Sequence, residues 1–234
     1  MSLILRSDPV ALSERFREAA PFPHAVIDGL FEDAVLEKIV AGFPAASSEA
    51  WQHFENARER KLGNLAGLRD LDPSIGAFLC AMSSPAVLDF LERLSGIDGL
   101  IPDPYLGGGG LHQVVRGGFL DVHTDFNWHP KLRLDRRLNL LIYLNRDWRE
   151  EYGGHLELWD RSASRAERRI LPTFNRTVIF STTDSAFHGH PQPLACPEGM
   201  TRKSLSFYYY TNGRPDAERS TPHDTIFPAP QGPR

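Results

Sequence analysis

The sequence predicts an α+β chain that is mainly β, an antiparallel sandwich or barrel carried on helices from its N-terminal part. Two observations lead there. Apolar residues recur at helical spacing up to about residue 100, and beyond it short runs of period 2 alternate with Gly, Pro and Asn loops. No internal repeat, heptad array or low-complexity tract competes with that reading.

Taken in order, Asp8-Pro9 caps a helix that runs to about Ala19, with Leu12 and Phe16 at i, i+4 spacing. Phe22 to Leu30 reads as a strand, favoured by Val26 and Ile27. Glu32 to Phe43 repeats Leu36, Ile39 and Val40 and stops at Gly42-Phe43-Pro44, a helix with its terminator. Trp51 to Leu68 is polar without a clear period and carries Arg58, Arg60 and Lys61; it reads as a loop or edge strand, and a solvated connector is expected. Two further helices are expected, over Pro73–Met82 and from Ser84-Pro85 to Leu94, closed by Gly96. Gly107 to Gly110 then makes a turn, and strands are expected at Leu111–Val115, Phe119–Asp125, Arg137–Asn145, His155–Trp159, Thr177–Thr182 and Lys203–Tyr210. The quadruple glycine is no phosphate loop, because neither Lys-Ser/Thr nor a helix follows it. Prolines at 215, 222, 228, 230 and 233 keep the tail out of helices and central strands, so it is expected to wrap the surface or be partly disordered. The expectation is one domain over 1–234: helical support and first strands to 100, a β core over 101–212, and a Pro-rich tail over 213–234.

Composition narrows the function. A chain of 234 residues, 41% hydrophobic and 24% charged, can bury a sizeable core. A net charge of −4 offers no electrostatic footprint for nucleic acid or an anionic membrane, so neither is an expected partner. Leu3-Ile4-Leu5 is too short for a signal sequence or a membrane span. Cys80 and Cys196 alone build no disulfide framework and no cysteine-rich zinc site, and a reducing, cytoplasmic location is expected.

Nine histidines are left to explain. His123-Thr124-Asp125 is an H-x-D, and on an extended strand residues i and i+2 project to one face. His188 can add a third ligand from a later strand end; two imidazoles and one carboxylate suit a divalent metal with three open positions, such as non-haem Fe(II). By itself H-x-D is a weak signal, and His155-Leu156-Glu157 offers a rival pair at the same spacing. His24, His53, His112 and His223 read as surface or hydrogen-bonded residues, and His190 stands two residues from His188.

Five ordered segments then give a specific resemblance: GGFLDVHTDF (117–126), RLNLLIYLN (137–145), GGHLELW (153–159), VIFSTTDSAFHGHP (178–191) and RKSLSFYYY (202–210). From Phe119 to Tyr210 the chain resembles the prolyl-hydroxylase-type branch of the 2-oxoglutarate/Fe(II) dioxygenases. The resemblance implies a double-stranded β-helix (jelly-roll) core. It implies Fe(II) held by His123, Asp125 and His188, with His190 beside the site and the His155-Glu157 pair on a structural strand. It further implies 2-oxoglutarate and O2 as cosubstrates, with ascorbate stimulating. Tyr143, Arg202 and Ser204 would bind the distal carboxylate of 2-oxoglutarate, with Lys203 as the alternative cation. Arg202, Ser204, Ser206 and Tyr208 share one strand face, and arginine suits a buried carboxylate better than lysine.

By resemblance the activity is hydroxylation of an unactivated C–H bond, coupled to decarboxylation of 2-oxoglutarate to succinate; no catalytic group beyond the metal centre is expected. A carboxylate at Asp125 favours hydroxylation over halogenation. The substrate would be proline, free or in a peptide, or another small molecule such as a natural-product or polysaccharide precursor. The rival classes are a silent 2-oxoglutarate-binding sensor on the same barrel and a cupin-like isomerase or zinc hydrolase. Asn127, Trp128, His129, Lys131, Arg136, Arg137 and Trp159 are the candidate substrate contacts; nothing in the sequence speaks to oligomeric state.

Overall fold

The structure, a computed structural model, describes residues 3–64 and 71–228. Its N-terminal part holds α1 (Pro9–Arg17), β1 (His24–Asp28), α2 (Asp33–Ala41), β2 (Trp51–Glu55), β3 (Glu59–Asn64), α3 (Pro73–Ala81) and α4 (Pro85–Ser95). There follow β4 (Ile101–Pro102), β5 (Gly110–Val114), β6 (Phe119–His123), β7 (Trp128–His129), β8 (Leu134–Tyr143), β9 (Leu156–Trp159), β10 (Ala166–Ile170), β11 (Arg176–Ser181), β12 (His188–His190) and β13 (Arg202–Thr211).

The helices start where the sequence caps them. Asp8 accepts from the Val10 amide and Asp72 from the Ser74 amide, each ahead of a first-turn proline. Helix α4 ends at Gly96, whose φ of 73° is the left-handed conformation that glycine adopts without a Cβ clash.

All strands join one curled antiparallel sheet in the order β1-β11-β8-β13-β5-β3-β6-β12-β9-β10, with β2, β4 and β7 attached to its sides. The long central strands β8 and β13 explain the layering. Leu138, Leu140 and Ile142 of β8 and Leu205, Phe207 and Tyr209 of β13 face the helices, packed with Phe16, Leu36, Ile75, Phe78 and Leu91 in the main core. Their alternate residues, Asn139, Leu141 and Tyr143 on β8 and Arg202, Ser204, Ser206 and Tyr208 on β13, face the concave side and line a cavity there. One face of each strand therefore holds the fold and the other builds a polar interior. The mainly β, helix-supported jelly-roll-like architecture is the one the sequence predicts.

One region differs from expectation. The segment from Trp51 is no solvated connector, because β2 and β3 form a hairpin and β3 inserts between β5 and β6; residues 65–68 of that stretch lie outside the described residues. The hairpin escapes a hydrophobic reading because Glu59 and Lys61 are its inward residues, facing the cavity where apolar residues would stand in an ordinary strand. The tail, expected to wrap the surface or be partly disordered, pairs Ile226 with Thr124 through two backbone hydrogen bonds of 2.9 and 3.0 Å, so residues 219–228 run as a strap beside the concave face; residues 229–234 lie outside the described residues.

Candidate metal and 2-oxo-acid site

Pairing of β12 with β6 sets His188 directly opposite His123, ring centroids 4.5 Å apart. The two rings are held alike. Each Nδ1–H donates to the carbonyl two residues before it, His123 to Asp121 O at 2.7 Å and His188 to Ala186 O at 3.0 Å. A carbonyl can only accept, so each Nε2 is left with its lone pair free to bind a metal. Asp125 closes the triangle, its carboxylate oxygens 3.7 Å from His123 Nε2 and 3.6 Å from His188 Nε2. The three ligand atoms lie within 4.8 Å of one another. Burial, reinforced by the neighbouring His188, lowers the pKa of His123 to about 3, so that imidazole is neutral and ready to ligate. An N,N,O set with its lone pairs converged fits Fe(II) and asks for no thiolate.

The carboxylate of Asp125 is positioned from β8. Burial alone would push its pKa up, but Arg136, the two imidazoles and Asn139 hold it well below the usual carboxylate range. Asn139 Nδ2 donates to Oδ2 at 2.7 Å and Arg136 Nη2 stands 3.3 Å from the same oxygen. Arg136 also donates from Nε and Nη2 to Asn139 Oδ1, at 3.0 and 2.7 Å, which fixes the orientation of the amide. Its guanidinium lies 3.5 Å from the ring centroid of Tyr208 and 4.4 Å from that of Phe126. Asn139 was not among the expected site residues; its signal in the sequence is an amide set among the apolar residues of RLNLLIY.

The same cavity, about 270 Å³, reaches from the triad to Arg202. Arg202 is 5% exposed, donates from Nε to Gly154 O at 2.8 Å and from Nη2 to Tyr143 Oη at 3.4 Å, and makes no ion pair among the described residues. Ser204 pairs with Tyr143 across the β13–β8 ladder. A buried guanidinium lacking a carboxylate, beside two hydroxyls and across the cavity from a metal triad, is the donor set that a dicarboxylate requires. Lys203 points to the other face of β13, where Nζ donates to Thr201 Oγ1, so Arg202 is the inward cation.

The remaining expected contacts divide. Arg136 lines the cavity. Arg137, its neighbour on the strand, points the opposite way and pairs with Glu218 at 3.0 Å. Asn127 holds the strap, donating to Ser220 Oγ and Thr221 O. Trp128 sits on β7 at the start of β8, outside the cavity, and His129 and Lys131 are turned toward Asp103 and Tyr105. Trp159 donates to Glu157 on its own strand, also away from the cavity. The rival pair lies apart from the triad and is taken up by other partners: His155 bonds Glu150 at 2.6 Å, and Arg169 pairs with Glu157 at 3.2 Å and reaches His155 Nδ1 at 3.5 Å. His112, expected to be an ordinary surface or hydrogen-bonded residue, bonds Gly108 O and also lines the cavity. So do Glu59, Lys61 and, from the strap, Thr225 and Phe227; the Phe227 ring centroid is 5.5 Å from that of His123.

One backbone approach makes the triad possible. A Cβ on Gly189 would stand 2.8 Å from Asp121 O and 2.9 Å from Leu120 O, closer than real contacts allow. Gly189→Ala is expected to push β12 off β6, separate His188 from His123 and weaken metal binding at least tenfold, measured by metal titration of the purified protein. Unchanged affinity would show that the strand spacing does not matter.

Comparison with known proteins agrees with this geometry. Residues 109–210 match the model of the family described as the 2OG-Fe(II) oxygenase superfamily. By sequence, no curated protein matches significantly. Among solved structures, a prolyl-4-hydroxylase from Pseudomonas putida is similar with a TM-score of 0.61 at 14% identity, covering 88% of this chain and 100% of its own. A prolyl hydroxylase from Trichoplax adhaerens, in complex with a hypoxia inducible factor peptide, gives 0.60 at 16% identity over 86% of this chain and 88% of its own. HygX from Streptomyces hygroscopicus, with nickel, 2-oxoglutarate and hygromycin B bound, gives 0.52 at 12% over 86% and 93%. At these identities the likeness is one of fold, and the family rests on the matched segment, which contains the triad, Tyr143, Arg202 and Ser204. Residues 109–210 thus carry the sequence pattern of the 2OG-Fe(II) oxygenase superfamily.

Proposed function

We propose that the protein hydroxylates an unactivated C–H bond of a small molecule or peptide, a prolyl group being the leading candidate, while 2-oxoglutarate is decarboxylated to succinate. The observation that carries this is the single cavity joining the His123–Asp125–His188 triad to the unpaired cation of Arg202. Fe(II) bound by the triad supplies the activation of O2. The chain supplies the rest. Arg202, Tyr143 and Ser204 hold the distal carboxylate of 2-oxoglutarate and so orient its 2-oxo-acid end toward the triad. Asn139 and Arg136 keep the Asp125 carboxylate charged and aimed. Leu141, Val114, Leu156 and Phe227 line the cavity with apolar surface that limits water around the reacting groups. Ascorbate is expected to stimulate by keeping the iron reduced.

The test is succinate release from anaerobically purified protein given Fe(II), ascorbate, 2-oxoglutarate and O2, with a substrate screen for a +16 mass shift. Wild type is expected to form succinate and His123→Ala to form none above background. Calorimetric binding of 2-oxoglutarate with no turnover of any compound would instead identify a silent sensor.

A further inference from the structure

We infer that the outer wall of the cavity is a subsite for a free amino acid, with Lys61 taking the carboxylate and Glu59 the ammonium, so that the substrate is a small zwitterion and not a residue within a peptide chain. This rests on the oxygenase reading of the cavity.

Strand β3 alternates as a strand should: Arg60 is turned outward, and Glu59 and Lys61 face the cavity. Their side chains are only 17% and 18% exposed and pair at 2.9 Å, with Lys61 Nζ 5.3 Å from the Phe54 ring centroid. The fold does not call for this pair, since Trp51 and Leu62 anchor the hairpin in the main core. Two charges held partly out of water bear a desolvation cost that packing alone would avoid. The other charges of the cavity have their uses: Asp125 with the metal and Arg136, Arg202 with the 2-oxo acid. Glu59 and Lys61 remain, opposite in sign and next to each other. An α-amino acid presents the complementary pair, and on binding each protein charge exchanges its neighbour on the strand for a partner on the substrate. Strand β3 pairs with β6, the strand that carries His123, Glu59 standing opposite Leu120, which places the pair on the metal-bearing side of the cavity.

Size points the same way. About 270 Å³ is below the usual range for one small-molecule site, and here it must hold the 2-oxo acid as well. From the strap, bonded at Thr124 and Asn127, Thr225 and Phe227 take up wall space beside His123, which leaves less room for a peptide chain than for a small molecule.

The test compares free amino and imino acids, proline included, with their methyl esters and N-acetyl derivatives and with end-blocked prolyl peptides, using the Fe(II) enzyme and succinate release. Saturation-transfer NMR on the Zn(II)-loaded protein reads binding independently of turnover. At least one free acid is expected to stimulate succinate release, and blocking either end is expected to cost tenfold or more in kcat/KM. Lys61→Met is expected to raise the KM and weaken the NMR-detected binding of the free acid tenfold or more, with a far smaller change in the KM for 2-oxoglutarate. Three results would overturn the inference: blocked peptides that work as well as free acids, no free acid that binds or stimulates, or a Lys61→Met defect confined to 2-oxoglutarate. Wild type that neither binds 2-oxoglutarate nor forms succinate would instead remove the oxygenase reading on which the inference stands.

Discussion

Asp125→Ala is expected to abolish Fe(II) binding and also to destabilise the protein, an effect that loss of a surface ligand would not have. The side chain has two tasks. It is the one oxygen ligand of the triad, so its removal leaves two imidazoles, which do not hold Fe(II) tightly. It is also the countercharge of Arg136, which is 1% exposed. Removing one partner of a buried pair costs about 3–5 kcal/mol because the other charge stays buried without compensation. Here the figure falls to about 2–3 kcal/mol, since Asp125 borders the cavity, at 11% exposure, and Arg136 keeps Asn139 and the faces of Tyr208 and Phe126. For a chain of this length that is a fall of about 4–12 °C in Tm. Asp125→Ala combined with Arg136→Met is expected to recover most of the stability and none of the metal binding. Thermal unfolding with metal titration checks both; an equal Tm for the wild type and the single variant would show that Arg136 does not depend on this carboxylate.

The triad was legible in the sequence because its spacing is local. An H-x-D on an extended run puts two ligands on one face by backbone geometry alone, and the family-like order of segments selects His188 over His190. The helices were legible for a similar reason, since caps, prolines and apolar spacing all lie within a few residues of each element. What was missed depends on contacts between distant parts of the chain. The charges of Glu59 and Lys61 look solvated until β3 is seen inserted between β5 and β6, facing the cavity. The strap is proline-rich and polar, and only its bonds to Thr124 and Asn127 bring Phe227 over His123. Proximity in sequence to Asp125 misled the choice of Asn127 and Trp128, because after the triad the chain turns to meet the strap and the start of β8. Arg136 and Arg137 could not be told apart from the sequence, because alternation from Asn139, Leu141 and Tyr143 would turn Arg137 inward. A bulge where Tyr209 pairs with Leu138 and Tyr210 with Arg136 reverses the parity, sending Arg136 to Asp125 and Arg137 to Glu218.

Arg202→Met is expected to give a folded, metal-binding protein that no longer uses 2-oxoglutarate at ordinary concentrations. In the absence of the dicarboxylate Arg202 is a buried cation with only neutral partners, Gly154 O and Tyr143 Oη. Burial lowers its pKa, the direction in which a group moves when its charged form is held at a cost. Replacing it with an apolar side chain of similar length therefore removes a desolvation penalty along with two hydrogen bonds, and Tm is expected to change little or to rise. Cosubstrate binding takes the opposite course. Losing one partner of a buried, hydrogen-bonded charge pair costs about 2–5 kcal/mol, which is roughly 30- to 4,000-fold in the KM for 2-oxoglutarate. Arg202→Lys is expected to fall between, because an ammonium lacks the planar fork that reaches Gly154 O, Tyr143 Oη and a carboxylate together. Lys203→Met, on the other face of the same strand, is expected to stay within about twofold of wild type in the KM for 2-oxoglutarate, since it removes only a part-buried contact to Thr201 away from the cavity. Steady-state kinetics in 2-oxoglutarate, set beside Tm for the three variants, separates binding from folding. A Lys203→Met defect larger than that of Arg202→Met would reverse the assignment and put the carboxylate on the other face of β13.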